Sequence, residues 1–129
     1  KATLGQLLDA KTGETPLVVS TSAAATVRQA LRLMSLHDVS QLPVMDGTNC
    51  VGSVSEGVLT SKGLEDSKVL DKSVGDVMDA PFPVVDDGQL VDSVVKLVNK
   101  NNPAVLVRHA GTVAGILTRS DLLHFLMAR

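Results

Sequence analysis

The chain has 129 residues, 44% apolar and 20% charged, with a net charge of −2, which is enough apolar side chain to bury a core without disulfide or metal staples. Lys and Arg are scattered singly and Phe82 and Phe125 are the only aromatics, so a nucleic-acid surface is not expected. No stretch approaches the roughly 18 apolar residues of a membrane span, no signal-peptide pattern is present, and Cys50 is the one cysteine, so a reducing, cytoplasmic setting is expected for what reads, from its start at Lys1, as a piece cut from a longer protein.

In chain order, a short helix is predicted within Thr3-Leu4-Gly5-Gln6-Leu7-Leu8-Asp9-Ala10 and a strand at Leu17-Val18-Val19. Residues 27, 30, 31 and 34 follow the i, i+3, i+4, i+7 stripe of a helix buried on one face, with Ser22 as its expected cap. Leu42 to Met45 and Cys50 to Val54 read as two strands joined by the turn-rich Asp46-Gly47-Thr48-Asn49, and a helix follows over Glu56 to Leu64. The whole order then recurs. Ser73-Val74-Gly75-Asp76-Val77-Met78-Asp79-Ala80 matches the first segment at an offset of 70. Pro83-Val84-Val85 matches Leu17-Val18-Val19 at 66, and Val91, Val94, Val95 and Val98 match the helical stripe at 64. Strands at Ala104 to Arg108 and Val113 to Leu117 and a last helix at Ser120 to Ala128 match the first hairpin and its helix at 63. Asp87 is the expected cap of the second long helix, which accounts for the adjacent Asp86-Asp87 without a carboxylate pair, and His109 falls in the predicted hairpin loop. The slips lie in loop-like stretches such as Lys11-Thr12-Gly13-Glu14, where insertions are tolerated. Two copies of one unit are implied, 1–68 and 69–129, giving an α+β fold in which each repeat is a small sheet packed by helices (β-α-β-β-α) and two copies together close one module.

The most chemically informative segment is Gly115-Ile116-Leu117-Thr118-Arg119-Ser120-Asp121, where a strand passes into a helix. Gly115 would let a ligand approach the backbone, and Thr118 and Asp121 set a hydroxyl and a carboxylate about one helical turn apart, fit to hold both hydroxyls of a ribose. The same residues also suit a helix cap. Arg119 is either a partner for a ligand phosphate or carboxylate or an exposed residue at the helix start. No nucleophile-base pair, paired carboxylates or phosphate loop is present, and His37, His109, His124 and Cys50 lack metal-ligand spacing, so neither an enzyme nor a metal site is expected.

The duplication, the Leu42-Pro43-Val44 strand and the Gly-x-x-Thr-x-x-Asp segment together resemble the CBS domain pair, the Bateman module, over essentially the whole chain. The resemblance implies a regulatory module without catalysis that binds AMP, ATP, S-adenosylmethionine or a related adenosine ligand. It implies a site made by Ile116, Thr118, Arg119, Ser120 and Asp121 with Thr15, Pro16 and Leu17 and with Val39, Ser40 and Gln41 from the first repeat. In the first repeat the matching segment, Gly52-Ser53-Val54-Ser55-Glu56-Gly57-Val58, keeps the hydroxyl at Ser55 but has Val58 at the carboxylate position. One ligand per chain is therefore expected, the second cleft, lined by Pro81, Phe82, Pro83, Asn102 and Pro103, being either empty or blocked by Phe82. Within the family the chain is similar to the C-terminal regulatory module of pyridoxal-phosphate-dependent cystathionine beta-synthase, in Pro16-Leu17-Val18-Val19, in Val39 to Val44 and in Thr118 to Phe125. That implies an attached catalytic domain carrying the pyridoxal phosphate, and no cofactor in the module itself. A homodimer is expected from Leu4, Leu7 and Leu8 beside Leu123, Phe125, Leu126 and Met127, if these lie exposed together. The alternative function is a structural or dimerising module without a ligand.

Overall fold

The computed structural model describes residues 1–11, 18–99 and 102–128; Thr15, Pro16 and Leu17 lie outside them. Thr3 accepts from the Gln6 N–H while the Gln6 side chain accepts from the Thr3 N–H, a reciprocal cap that starts α1 (Leu4–Ala10). Thr26 and Gln29 repeat the arrangement at α2 (Val27–His37), so the cap expected at Ser22 falls at Thr26, where both orphan N–H groups find partners. Asp38 ends α2 in the left-handed conformation at φ 53° and returns its N–H to Met34 and Ser35 carbonyls. An antiparallel hairpin follows, β1 (Gln41–Asp46) and β2 (Asn49–Ser55), then α3 (Glu56–Glu65), a 3-10 turn at Ser67–Asp71 and the short α4 (Val74–Val77). The remainder is β3 (Val84–Asp86), α5 (Val91–Val94) with a 3-10 turn at Val95–Leu97, the hairpin β4 (Ala104–His109) and β5 (Thr112–Thr118), and α6 (Arg119–Met127). β3 lies parallel to β4, and β4 antiparallel to β5.

Five expectations are corrected. The stripe at 91, 94, 95 and 98 does not make a long second helix; it breaks after Val94 into the 3-10 turn. Its four valines are stiff at χ1 and poor helix formers, whereas α2 is built from Leu, Arg, Gln, Ala and Met. Asp87 does not cap α5, whose N-cap is Leu90 with no side-chain bond; instead Asp87 Oδ2 lies 2.6 Å from His109 Nδ1. Asp86 turns to Arg108, whose Nε donates to it at 2.9 Å, and that hydrogen bond, then the guanidinium charge, holds the Asp86 carboxyl below the ordinary range. His109 therefore closes β4, and the turn is Ala110 and Gly111, both with positive φ. Among the described residues the first-repeat strand is reduced to one parallel bridge, Thr21 to Val44. Thr21 occupies there the position that Val85 holds against Val107, which moves the repeat offset at this point from 66 to 64. Finally, Leu4, Leu7 and Leu8 are buried in a core and not on an outer face; Leu123, Leu126 and Met127 remain exposed on α6.

The chain divides into two compact units, one of residues 1–18 with 82–129 and the other of 19–81. Neither coincides with a sequence repeat, because the short helix of each repeat packs in the unit of the other. In the first unit Leu4 N–H donates to Gln89 O, Gly5 N–H to Asp87 O and Val91 N–H to Ala2 O. In the second, Val74 N–H donates to Ala25 O, Gly75 N–H to Ala23 O and Val27 N–H to Lys72 O, the same three bonds at equivalent positions. Each unit has its own core: α1 leucines with Val85, Val91, Val105, Val107, Leu117 and Leu122 in one, and Val27, Ala30, Met34, Leu42, Val44, Val54, Leu59, Val69 and Val74 in the other.

Two hairpin glycines permit this docking. A Cβ at Gly115 would lie 2.6 Å from Leu8 Cδ2, and one at Gly52 would lie 2.5 Å from Met78 Sδ and 3.0 Å from the Asp79 carbonyl oxygen. The backbone that Gly115 was expected to offer to a ligand is thus covered by α1. Gly52→Ala should lower stability by about 1–3 kcal/mol through overpacking. Because the clash is with Met78, the Gly52→Ala and Met78→Ala pair should be non-additive by at least about 0.5 kcal/mol in urea unfolding; strict additivity would show that the two do not meet.

Candidate functional site

The predicted ribose-binding residues converge at the junction of β5 and α6. Thr118 is the N-cap of α6, in extended conformation at φ −107° and ψ 171°. Its N–H and its hydroxyl both donate to Asp121 Oδ2, at 2.8 and 3.0 Å, and the Asp121 N–H donates back to Thr118 Oγ1 at 3.3 Å. The hydroxyl and carboxylate are therefore brought together, and the cap reading and the binding reading fall on the same atoms. Arg119 and Ser120 start α6 and are exposed, Ile116 is part-buried in β5, and the Arg119 N–H donates to Pro103 O.

Val39, Ser40 and Gln41 belong to the other compact unit. Val39 follows α2, with its N–H on Met34 O, and packs at the edge of that unit's core. Ser40 is exposed, its carbonyl accepts from the Glu56 N–H, and its hydroxyl donates to Gln41 Oε1 at 3.1 Å. The expected Thr15, Pro16 and Leu17 are outside the described residues.

One residue of the site was missed in the sequence. Lys11, directly after α1, donates from Nζ to Ile116 O at 2.8 Å and to Asp121 Oδ2 at 3.0 Å, and both side chains are largely shielded, at 29% and 20% exposure. Beside this pair runs a groove of about 440 Å³ lined by Leu7, Ala10, Lys11, Asp121, His124, Phe125 and Ala128. Lys11 sat in a stretch that reads as an insertion-tolerant loop. The available signal was the repeat itself: at an offset of 70 the place of Lys11 is taken by Pro81, and at 63 the place of Asp121 is taken by Val58. Both partners are absent from the second copy of the site. There Ser55 caps α3 by accepting from the Val58 N–H at 3.4 Å, and Val58, 40% exposed, offers no acceptor. Phe82 is buried.

Comparison with known proteins identifies the family to which these two repeats belong. The sequence profile of the CBS domain matches residues 15–62 and 74–128. The chain belongs to the CBS domain family. This CBS pair is similar to the CBS-pair protein CBSX2 from Arabidopsis thaliana, at 28% identity and a TM-score of 0.77, over 98% of this chain and 95% of that one. A structure of CBSX2 in complex with AMP matches at 27% identity and a TM-score of 0.77, over 99% and 98% of the two chains. The fold is shared with the CBS domain pair of protein MJ0100, solved with 5'-methylthioadenosine and S-adenosyl-L-methionine, at 20% identity and a TM-score of 0.77, over 98% and 97%. The uncharacterized protein MJ1232 of Methanocaldococcus jannaschii is 27% identical over 106 residues, 81% of this chain. The chain spans only 34% of that relative's length. Among the described residues no helix is long and apolar enough to cross a membrane.

Thr118 has a structural duty whatever it binds. Thr118→Ala should lower unfolding free energy by about 1 kcal/mol through the lost cap, and Thr118→Ser should recover most of it in the same urea titration; equal losses would show that the methyl group and not the hydroxyl matters.

Proposed function

We propose that this CBS pair is a regulatory module that binds an adenosine-containing ligand by its ribose, through Asp121 and Thr118, and adjusts the activity of an attached enzyme. The observation that carries the reading is the carboxylate at the head of α6, part-shielded beside an apolar-walled groove, in a chain of the family to which CBSX2 belongs, crystallised with AMP. Charge-assisted bonds from sugar hydroxyls to such a carboxylate are strong, and the N-terminal end of α6 favours a nearby anion. The assignment of Val39, Ser40 and Gln41 to the adenine, of Arg119 and Ser120 to the ligand's polar end, and of Thr15, Pro16 and Leu17 to the same ligand rests on the family likeness. Pro16 to Val19, Val39 to Val44 and Thr118 to Phe125 support a pyridoxal-phosphate-dependent cystathionine beta-synthase as the attached enzyme.

A second reading is favoured by one observation: the Thr118–Asp121 cap is already complete without a ligand. In that reading the module serves assembly, through the exposed Leu123, Leu126 and Met127 of α6. A homodimer is compatible with both, and light scattering should report a dimer that Leu126→Lys weakens; a monomer at high micromolar concentration would remove it.

The deciding measurement is a melting-temperature screen of AMP, ADP, ATP, adenosine and S-adenosylmethionine. A ligand at about 100 times its Kd should add roughly 2.7 kcal/mol, a shift of several degrees for a domain of this size. Asp121→Ala should weaken binding about tenfold to a hundredfold, Thr118→Ala less, and Val58→Ala hardly at all. If none of the five shifts the wild type, the assembly reading takes over.

A further inference from the structure

We propose that Lys11 sets the charge preference of the ribose clamp, making the site select adenosine phosphates over uncharged or cationic adenosine ligands. The inference rests on the clamp reading above and adds to it a residue outside the segment that carries the family's motif.

The argument begins with acceptor capacity. A carboxylate has about four lone-pair sites shared between two oxygens. Asp121 Oδ2 already receives three donors, the Thr118 N–H, the Thr118 hydroxyl and the Lys11 ammonium. A ribose diol engaging both oxygens of this carboxylate must displace one of them. The N–H is fixed by the start of α6, and the hydroxyl is held on the same turn by the Asp121 N–H. Lys11 is the movable member, a point charge on a flexible four-carbon stem.

Displacement has a consequence for the ligand. Lys11 is part-buried, and among the described residues its remaining bond would be to the Ile116 carbonyl, a neutral acceptor. A shielded ammonium that loses its counter-charge is costly unless another anion replaces it. A nucleotide supplies that anion on the same molecule as the ribose, so its phosphate takes the ammonium as its hydroxyls take the carboxylate. Adenosine supplies none, and S-adenosylmethionine offers its carboxylate only at the end of the methionine arm, beyond a sulfonium that adds a second cation beside the first. Loss of both charges together at Pro81 and Val58 in the other copy fits a pair that acts as a unit.

The test is calorimetric titration of the full chain with AMP, adenosine and S-adenosylmethionine, using wild type, Lys11→Met, Lys11→Arg and Asp121→Ala. The wild type should bind AMP about tenfold or more tighter than adenosine, the scale of one charge-assisted bond. Lys11→Met should remove most of that preference while adenosine and S-adenosylmethionine bind as well as before or better, and Lys11→Arg should keep it. A purely structural Lys11 would change all three ligands alike, so the ratio of affinities is the diagnostic, and unliganded melting curves establish that each variant is folded. If AMP and adenosine bind, Asp121→Ala weakens both, and Lys11→Met leaves their ratio unchanged, the Lys11 assignment is overturned and the clamp stands. If Asp121→Ala binds all ligands normally, the clamp itself is overturned and the Lys11 assignment falls with it.

Discussion

The structure depends on a reciprocal exchange: the short helix at the head of each repeat docks on the hairpin of the other. Two small features make it possible, glycines at positions 52 and 115 where a side chain would collide with Met78 or Leu8, and matched backbone bonds that tie Leu4 and Val74 to the other repeat's chain before α5 and α2. The apolar gain is substantial, since Leu4, Leu7 and Leu8 all go into one core and full burial of a leucine is worth about 1.5–3 kcal/mol. The site inherits this constraint. Lys11 reaches Ile116 and Asp121 because α1, seated across β5, delivers the next residue there.

In the proposed reading Asp121 serves two ends with one side chain. As the third helical residue of α6 it completes a cap with Thr118, and as a part-shielded carboxylate beside a groove it is the group suited to sugar hydroxyls. The first copy of the motif separates these roles. Ser55 still accepts from the Val58 N–H and starts α3, so capping survives without the carboxylate, and the charge at position 121 is more than helix initiation requires. A part-buried ion pair is also weak evidence for stability in itself, because desolvation offsets much of its attraction. That is a physical reason to assign the Lys11–Asp121 pair to ligand chemistry.

Much of this was legible in the residues. α2 follows a clean 3.6 period, the hairpins read as apolar runs around turn residues, and the duplication set their order. Spacing alone singled out Thr118 and Asp121 and left the cap and the clamp as alternatives because both use the same atoms, and the cap is what the structure displays. What was not legible had specific causes. The stripe of Val91, Val94, Val95 and Val98 has the right period but the wrong side chains for a sustained helix. The alignment at Val19 slipped by two residues because a single bridge at Thr21 leaves no alternating pattern to read. Repeat similarity says which segments are alike and is silent on which copy each one packs against, so the α1 leucines read as an outer face. Lys11 was hidden because its partner is 110 positions away.

The exchange also orders events during synthesis. Residues 19–81 form an uninterrupted unit, so it can close as soon as α4 has emerged, from contacts that stay within 63 consecutive residues. The other unit is assembled from both flanks of that insert, and its α1, made first, must hold three leucines without their native core until β5 and α6 arrive. A ribosome-bound nascent chain is thus obliged to carry an unfinished amphipathic helix while residues 19–81 close, and the Lys11–Asp121 contact forms only once the start of α6 has been translated.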